Sequence, residues 1–159
     1  MSDSTPQSSD EPGSAERRGL PLGKLGAALV LCLLDAGRTD EARTWWQSRA
    51  PVRRNYYWLA RMALLARAAI RMGDLEQCEQ AYRELTPWAG RMAGIDSGSV
   101  TFGTVDETLA LLAEALGRPG DEVARHRAGA DAVRARVAAA LSPRSPAPSA
   151  GTPAGTAPA

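Results

Sequence analysis

Three glycines constrain this chain more than any other feature. Gly37, Gly73 and Gly117 each follow an apolar run, and each opens a short acidic stretch. The strings are Leu33-Leu34-Asp35-Ala36-Gly37-Arg38-Thr39-Asp40-Glu41-Ala42, Ala69-Ile70-Arg71-Met72-Gly73-Asp74-Leu75-Glu76-Gln77-Cys78 and Ala115-Leu116-Gly117-Arg118-Pro119-Gly120-Asp121-Glu122-Val123-Ala124. A glycine just past an apolar helix takes the left-handed conformation that ends it without a Cβ clash. Carboxylates after it favour the start of another helix, because they meet the positive end of its dipole. One helix–turn–helix unit recurring along a chain marks a helical repeat. A single pair leaves an apolar face bare, so neighbouring pairs must stack.

The flanking pattern predicts six helices in three pairs. Helix 1 covers about 21–36, with Pro21 in its first turn and Leu22, Leu25, Leu29, Cys32 and Leu33 at helical spacing. Helix 2 is capped by Thr39 and reaches about 49, before Pro51. Helix 3 covers about 54–72. Helix 4 runs over 75–85, with Asp74 as its cap and Pro87 as its stop. A glycine- and serine-rich connector of about 88–103 follows, packed by Ile95, Val100 and Phe102. Helix 5 starts at Thr104, whose partner Glu107 three residues on completes a capping box, and ends at Gly117. Helix 6 covers about 121–141. Ala42, Cys78 and Ala124 are the small residues that let the paired helices approach. Gly37 to Gly73 spans 36 residues and Gly73 to Gly117 spans 44, so the period is irregular.

The sequence divides into residues 1–18, a helical domain over 19–141, and residues 142–159. Both ends are too poor in bulky apolar residues to offset the entropy of ordering, and both are expected to be disordered. The fold expected is all-α: three helix–turn–helix pairs in a short right-handed solenoid.

Charge and composition exclude several classes. A net charge of +1 argues against direct nucleic-acid binding, which needs a basic excess. Two cysteines, Cys32 and Cys78, make neither a disulfide framework nor a metal cluster, and both are expected on buried helix faces. Arg17-Arg18 ahead of Leu25–Leu34 resembles a signal peptide, but the apolar stretch is too short to span a bilayer and lacks a cleavage site. No membrane association and a cytoplasmic location are expected. Gly19-Leu20-Pro21-Leu22-Gly23-Lys24-Leu25 falls one residue short of a phosphate loop and has Leu25 where a hydroxyl is needed. His126, flanked by Arg125 and Arg127, reads as a surface or boundary histidine whose protonation those arginines disfavour. Gly94-Ile95-Asp96-Ser97-Gly98 is not a nucleophile elbow, and Ser97 and Ser99 read as parts of a connector. No enzyme activity and no cofactor are expected.

Five of the eight aromatics, Trp45, Trp46, Tyr56, Tyr57 and Trp58, fall within fourteen residues. Packing between repeats is their expected role. On a helical wheel, helix 3 separates Trp58, Leu59, Met62, Leu65, Ala69 and Ile70 from Arg53, Arg54, Arg61, Arg67 and Arg71. Tyr57 lies among the arginines. The first helix of each pair commonly lines the concave face of a solenoid. Arg54, Tyr57, Arg61, Arg67 and Arg71 are therefore the candidate partner-binding residues, suited to carboxylates or phosphate. The competing reading is a solvated face paired with Glu76, Glu79 and Glu84. Val123, Val133, Val137 and Leu141 on helix 6 offer a surface for a homodimer.

Two further strings carry a resemblance. They are Leu85-Thr86-Pro87-Trp88-Ala89-Gly90-Arg91 and Leu109-Ala110-Leu111-Leu112-Ala113-Glu114-Ala115-Leu116-Gly117-Arg118. Across 75–141 the chain resembles the tetratricopeptide-like repeat region of bacterial LuxR-type and adenylate-cyclase-associated ATP-binding regulators. It departs from them at Pro119-Gly120 and at Val123, and it contains no Gly-x-x-x-x-Gly-Lys-Ser/Thr string of an ATPase module. The resemblance implies a repeat scaffold that senses partners and relays signals. The function expected is a protein–protein interaction scaffold or regulatory accessory. The alternatives are a ligand-sensing repeat domain in a transcriptional regulatory system and a subunit of a biosynthetic pathway.

Overall fold

The three glycines take up one geometry. Their φ angles are +73°, +69° and +65° for Gly37, Gly73 and Gly117. Each donates its N–H to the carbonyl three residues back: Leu34, Ile70 and Glu114. The residue after each, Arg38, Asp74 or Arg118, donates to the carbonyl five residues back: Leu33, Ala69 or Ala113. This is the double-bonded Schellman stop, formed three times.

A computed structural model describes residues 26–94 and 100–142. The stops divide them into three hairpins: α1 (Gly26–Asp35) with α2 (Thr39–Gln47), α3 (Trp58–Met72) with α4 (Leu75–Leu85), and α5 (Val105–Ala115) with α6 (Gly120–Leu141). α1 packs on α3 and α3 on α5, while α4 also packs on α5. The predicted residues 21–25 of helix 1 and the predicted tails up to 18 and from 143 lie outside the described residues.

α3 is the centre of the molecule. Trp58, Met62 and Leu65 are buried, as expected, but so are Ala60, Ala63, Ala66 and Ala68. Of those alanines, Ala60, Ala63 and Ala68 fall off the expected apolar face. They are buried because α1, α4, α5 and a strand pair surround the helix, and methyl groups let those neighbours approach. Leu85, Leu109, Leu112, Val30 and Val105 are fully buried with it.

Several expectations need correction. The fold is not purely helical. A one-turn 3-10 helix (Thr86–Trp88) runs into the predicted connector, which holds an antiparallel pair, β1 (Met92–Gly94) and β2 (Thr101–Thr104). Met92 faces Thr104 and Gly94 faces Thr101. A Cβ at Gly94 would lie 2.8 Å from the Val100 carbonyl oxygen, so glycine there serves close strand approach. Ala93 is fully buried, and the Val105 N–H donates to the Arg91 carbonyl at 2.9 Å, which ties the strands to the start of α5. Ile95, Ser97 and Ser99 lie outside the described residues, and Val100 is exposed rather than packed.

α3 starts at Trp58, not at residue 54, because Asn55 forms a turn. Its Oδ1 accepts the Tyr57 N–H at 3.0 Å and its carbonyl accepts the Trp58 N–H at 2.9 Å. Thr39 is the first residue of α2 rather than its cap, and Arg38 in the cap position supplies no side-chain bond. Asp74 and Thr104 cap as expected, accepting the N–H groups of Gln77 and Glu107 at 3.0 Å each. Ala42 and Cys78 are fully buried, whereas Ala124 is exposed. The Pro119-Gly120 insertion rotates α6 by one position and turns Val123 inward instead. Cys32 is exposed, since α1 meets neighbours on one side only.

Candidate functional site

Packing leaves the arginine side of α3 only partly covered. Arg61, Leu64 and Arg67 are half-buried along it and Arg71 is exposed. Arg54 and Tyr57 lie in the turn before the helix, outside it. The five predicted residues therefore follow the length of α3, from the turn at its start to its last turn. Arg71 pairs with Asp35 at 2.5 Å, across the α1–α3 contact. The Arg67 Nη2 donates to the Phe102 carbonyl at 3.0 Å on β2, so this residue also ties α3 to the hairpin. Its Nε is buried without a hydrogen-bond partner among the described residues. The Arg54 guanidinium lies 4.9 Å from the centre of the Trp58 ring. Tyr57 is 51% exposed and meets Tyr56 edge-on, centroids 5.2 Å apart. Of the acidic residues proposed as their partners, Glu79 binds Arg118 at 2.8 Å.

The aromatic cluster splits between packing and surface. The Trp46 indole N–H donates to Asp74 Oδ2 at 2.8 Å, and the Arg49 guanidinium lies 3.7 Å from the Trp46 ring. Arg49 also reaches Gln77 at 2.8 Å. The first hairpin is thereby joined to the cap of α4. Burial opposes ionisation of Asp74, but the bonds from Gln77, Trp46 and Arg49 win and hold its carboxyl below the usual value. Trp58 is buried against Trp88, centroids 5.3 Å apart. Beside them Arg54, Asn55, Tyr56, Leu59 and Trp88 enclose a cleft of about 270 Å³.

Sequence reasoning missed one buried polar centre. Tyr82 on α4 donates its hydroxyl proton to Glu122 on α6 at 2.5 Å, and the same oxygen lies 2.7 Å from His126 Nε2. Tyr82 and His126 are each only 8% exposed. With the phenol proton committed to the carboxylate, His126 bonds as the Nε2–H tautomer. Burial pushes the imidazole below its ordinary value; Arg125 adds to this, while Asp106 and Glu122 oppose it. Burial, then the bond to Glu122, pushes the Tyr82 phenol up to about 12. A surface or boundary histidine was expected; the structure instead buries it and uses it to join α4 to α6. The signal available was its position, three residues after buried Val123 and four before buried Ala130, on the inward face of α6.

This centre does not assemble a nucleophile and base. A phenol with a raised pKa holds its proton, and the imidazole faces that phenol rather than a serine or thiol. Among the described residues no cluster of three or more histidine, cysteine, aspartate or glutamate side chains could hold a metal, and no helix is long and apolar enough to cross a membrane. Comparisons with protein-family models, with curated proteins and with solved structures found no match to this chain.

Proposed function

We propose that this chain is a protein-interaction module in which three stacked helix hairpins, a short tetratricopeptide-like solenoid, present the arginine line of α3 to an acidic segment of a partner protein. The observation that carries this reading is the distribution of Arg54, Arg61, Arg67 and Arg71 along one edge of the most enclosed helix, with Tyr57 at its start. Buried on its other sides, α3 is a rigid ruler, so its cations are held at fixed spacing. Carboxylates spaced along an extended peptide complement such a line, and guanidinium groups take carboxylates in bidentate fashion. The Arg71–Asp35 pair is largely exposed, and exposed pairs contribute about 0–1 kcal/mol, so a partner's carboxylate exchanges with Asp35 at little cost. The resemblance to repeat regions of ATP-binding regulators supports a regulatory accessory role acting on another chain.

The test is backbone amide NMR on the full chain, titrated with a synthetic oligoglutamate peptide. Shifts concentrated at Arg61, Arg67, Arg71 and their α1 and α5 neighbours support the reading. Shifts concentrated on the outer faces of α2 and α4, or none at millimolar peptide, overturn it.

A further inference from the structure

The cleft at the start of α3 differs in chemistry from the arginine line. Its floor is Trp58, its walls are Tyr56, Leu59 and Trp88, and Arg54 closes one side. Trp88 also carries the Arg91 guanidinium 5.1 Å from its ring. Tyr56 is 46% exposed although its ring is one half of an aromatic pair. The Trp58 indole N–H is buried and has no acceptor among the described residues. At about 270 Å³ the cleft lies below the ~300 Å³ where cofactor and drug-sized sites begin. Aromatic clefts of this kind take polyproline II segments, whose rings stack on the aromatics and whose carbonyls, bonded to nothing in their own helix, accept donors from the cleft.

We propose that this cleft holds the chain's own proline-rich C-terminal segment, beginning with Ser142-Pro143-Arg144-Ser145-Pro146-Ala147-Pro148. Polyproline II repeats every three residues, so in that conformation Pro143 and Pro146 would share one face, with Arg144 and Ser145 off it. The path is short. The Arg136 guanidinium on α6 donates to the Gly90 carbonyl at 2.8 Å, and Gly90 is two residues from Trp88. α6 ends at Leu141, and the residues from 143 to 159 extend about 50 Å at ~3.1 Å per residue. The segment thus leaves α6 five residues after a side chain that reaches Gly90, with length enough to reach the cleft.

The experiment compares the full chain with its Pro143→Ala/Pro146→Ala form by indole N–H NMR, in which the four tryptophans give separate resonances. Both positions lie outside the described residues, and matching circular dichroism spectra check that the fold is kept. The proposal requires the Trp58 and Trp88 resonances to shift while those of Trp45 and Trp46 stay, and Tyr56→Ala to give the same loss in the otherwise unaltered chain. Unchanged indoles overturn it. Shifts that vanish on twentyfold dilution also overturn it, because they place the segment on a second copy. Oligoglutamate binding is read separately, at Arg61, Arg67 and Arg71, which do not line the cleft.

Discussion

Single residues decide how the helices are fastened, and two of them are testable directly. The Tyr82–His126–Glu122 contact joins α4 to α6 in a buried setting, so Tyr82→Phe leaves the His126 N–H and the Glu122 carboxylate without their shared partner. An unsatisfied buried polar group costs about 1–3 kcal/mol, and urea denaturation of the variant should show a loss of that size. The pH dependence has a defined sign. An unfolded imidazole titrates near about 6.5, and in the fold it titrates lower. Stability is whole above about 6.5, declines as pH falls and the unfolded chain takes the proton first, and levels once the folded imidazole is charged too. At the other extreme the folded phenol titrates at about 12 against about 10 unfolded, so stability falls as pH rises through that interval. Melting temperature against pH reads both, and Tyr82→Phe removes the alkaline decline. Gly129 is the second case. A Cβ there would lie 2.5 Å from Asp106 Oδ1, on the carboxylate that accepts the Gly90 N–H. Gly129→Ala gains about 1 kcal/mol of helix propensity but displaces that carboxylate, and overpacking costs about 1–3 kcal/mol. A lowered denaturation midpoint is expected where an unconstrained helical glycine would give a raised one.

Among the elements, the turns were the most legible and the strands the least. Gly37, Gly73 and Gly117 announce their stops because the left-handed conformation penalises every other residue, so the constraint is visible in one letter. Asp74 and Thr104 are legible for the same local reason: a short acceptor side chain directly before a helix. The β1–β2 pair was not, since three or four residues give too little alternation to separate a strand from a glycine-rich loop. The burial of the α3 alanines was hidden because a wheel shows one apolar face, whereas a central helix is covered on several sides. His126 was misread because its partners, Tyr82 and Glu122, come from two different helices, one of them forty-four residues away. The candidate line was legible in part: Arg61, Arg67 and Arg71 do run along α3, but Arg54 and Tyr57 precede it, and the bond from Arg67 to Phe102 needed the unforeseen hairpin. Two glycine substitutions separate the turn geometry from generic flexibility. Gly73→Ala forces a Cβ into φ +69° and should cost about 1–2 kcal/mol. Gly120→Ala, at the start of α6 with nothing within 4 Å of the added methyl, should be neutral or stabilising by up to about 1 kcal/mol. Thermal denaturation of the pair gives the comparison.

For the molecule as a whole, the arrangement places α3 between α1, α4 and α5, and the same enclosure that builds the core leaves its cations as an ordered line. Net charge is +1, so the proposed docking of an acidic segment rests on local pattern and not on an overall basic field. The most direct measurement is the affinity of oligoglutamate for the chain, for Arg54→Glu/Arg61→Glu, and for a control reversal on exposed residues of α2 and α4, Arg43→Glu/Arg83→Glu. All three have matching helical content by circular dichroism if the fold is kept. The account predicts a loss of about tenfold or more, equivalent to about 1.4 kcal/mol, for the α3 reversal and little change for the control. Equal losses in both would mean that charge alone draws the peptide, and would contradict a docking line on α3.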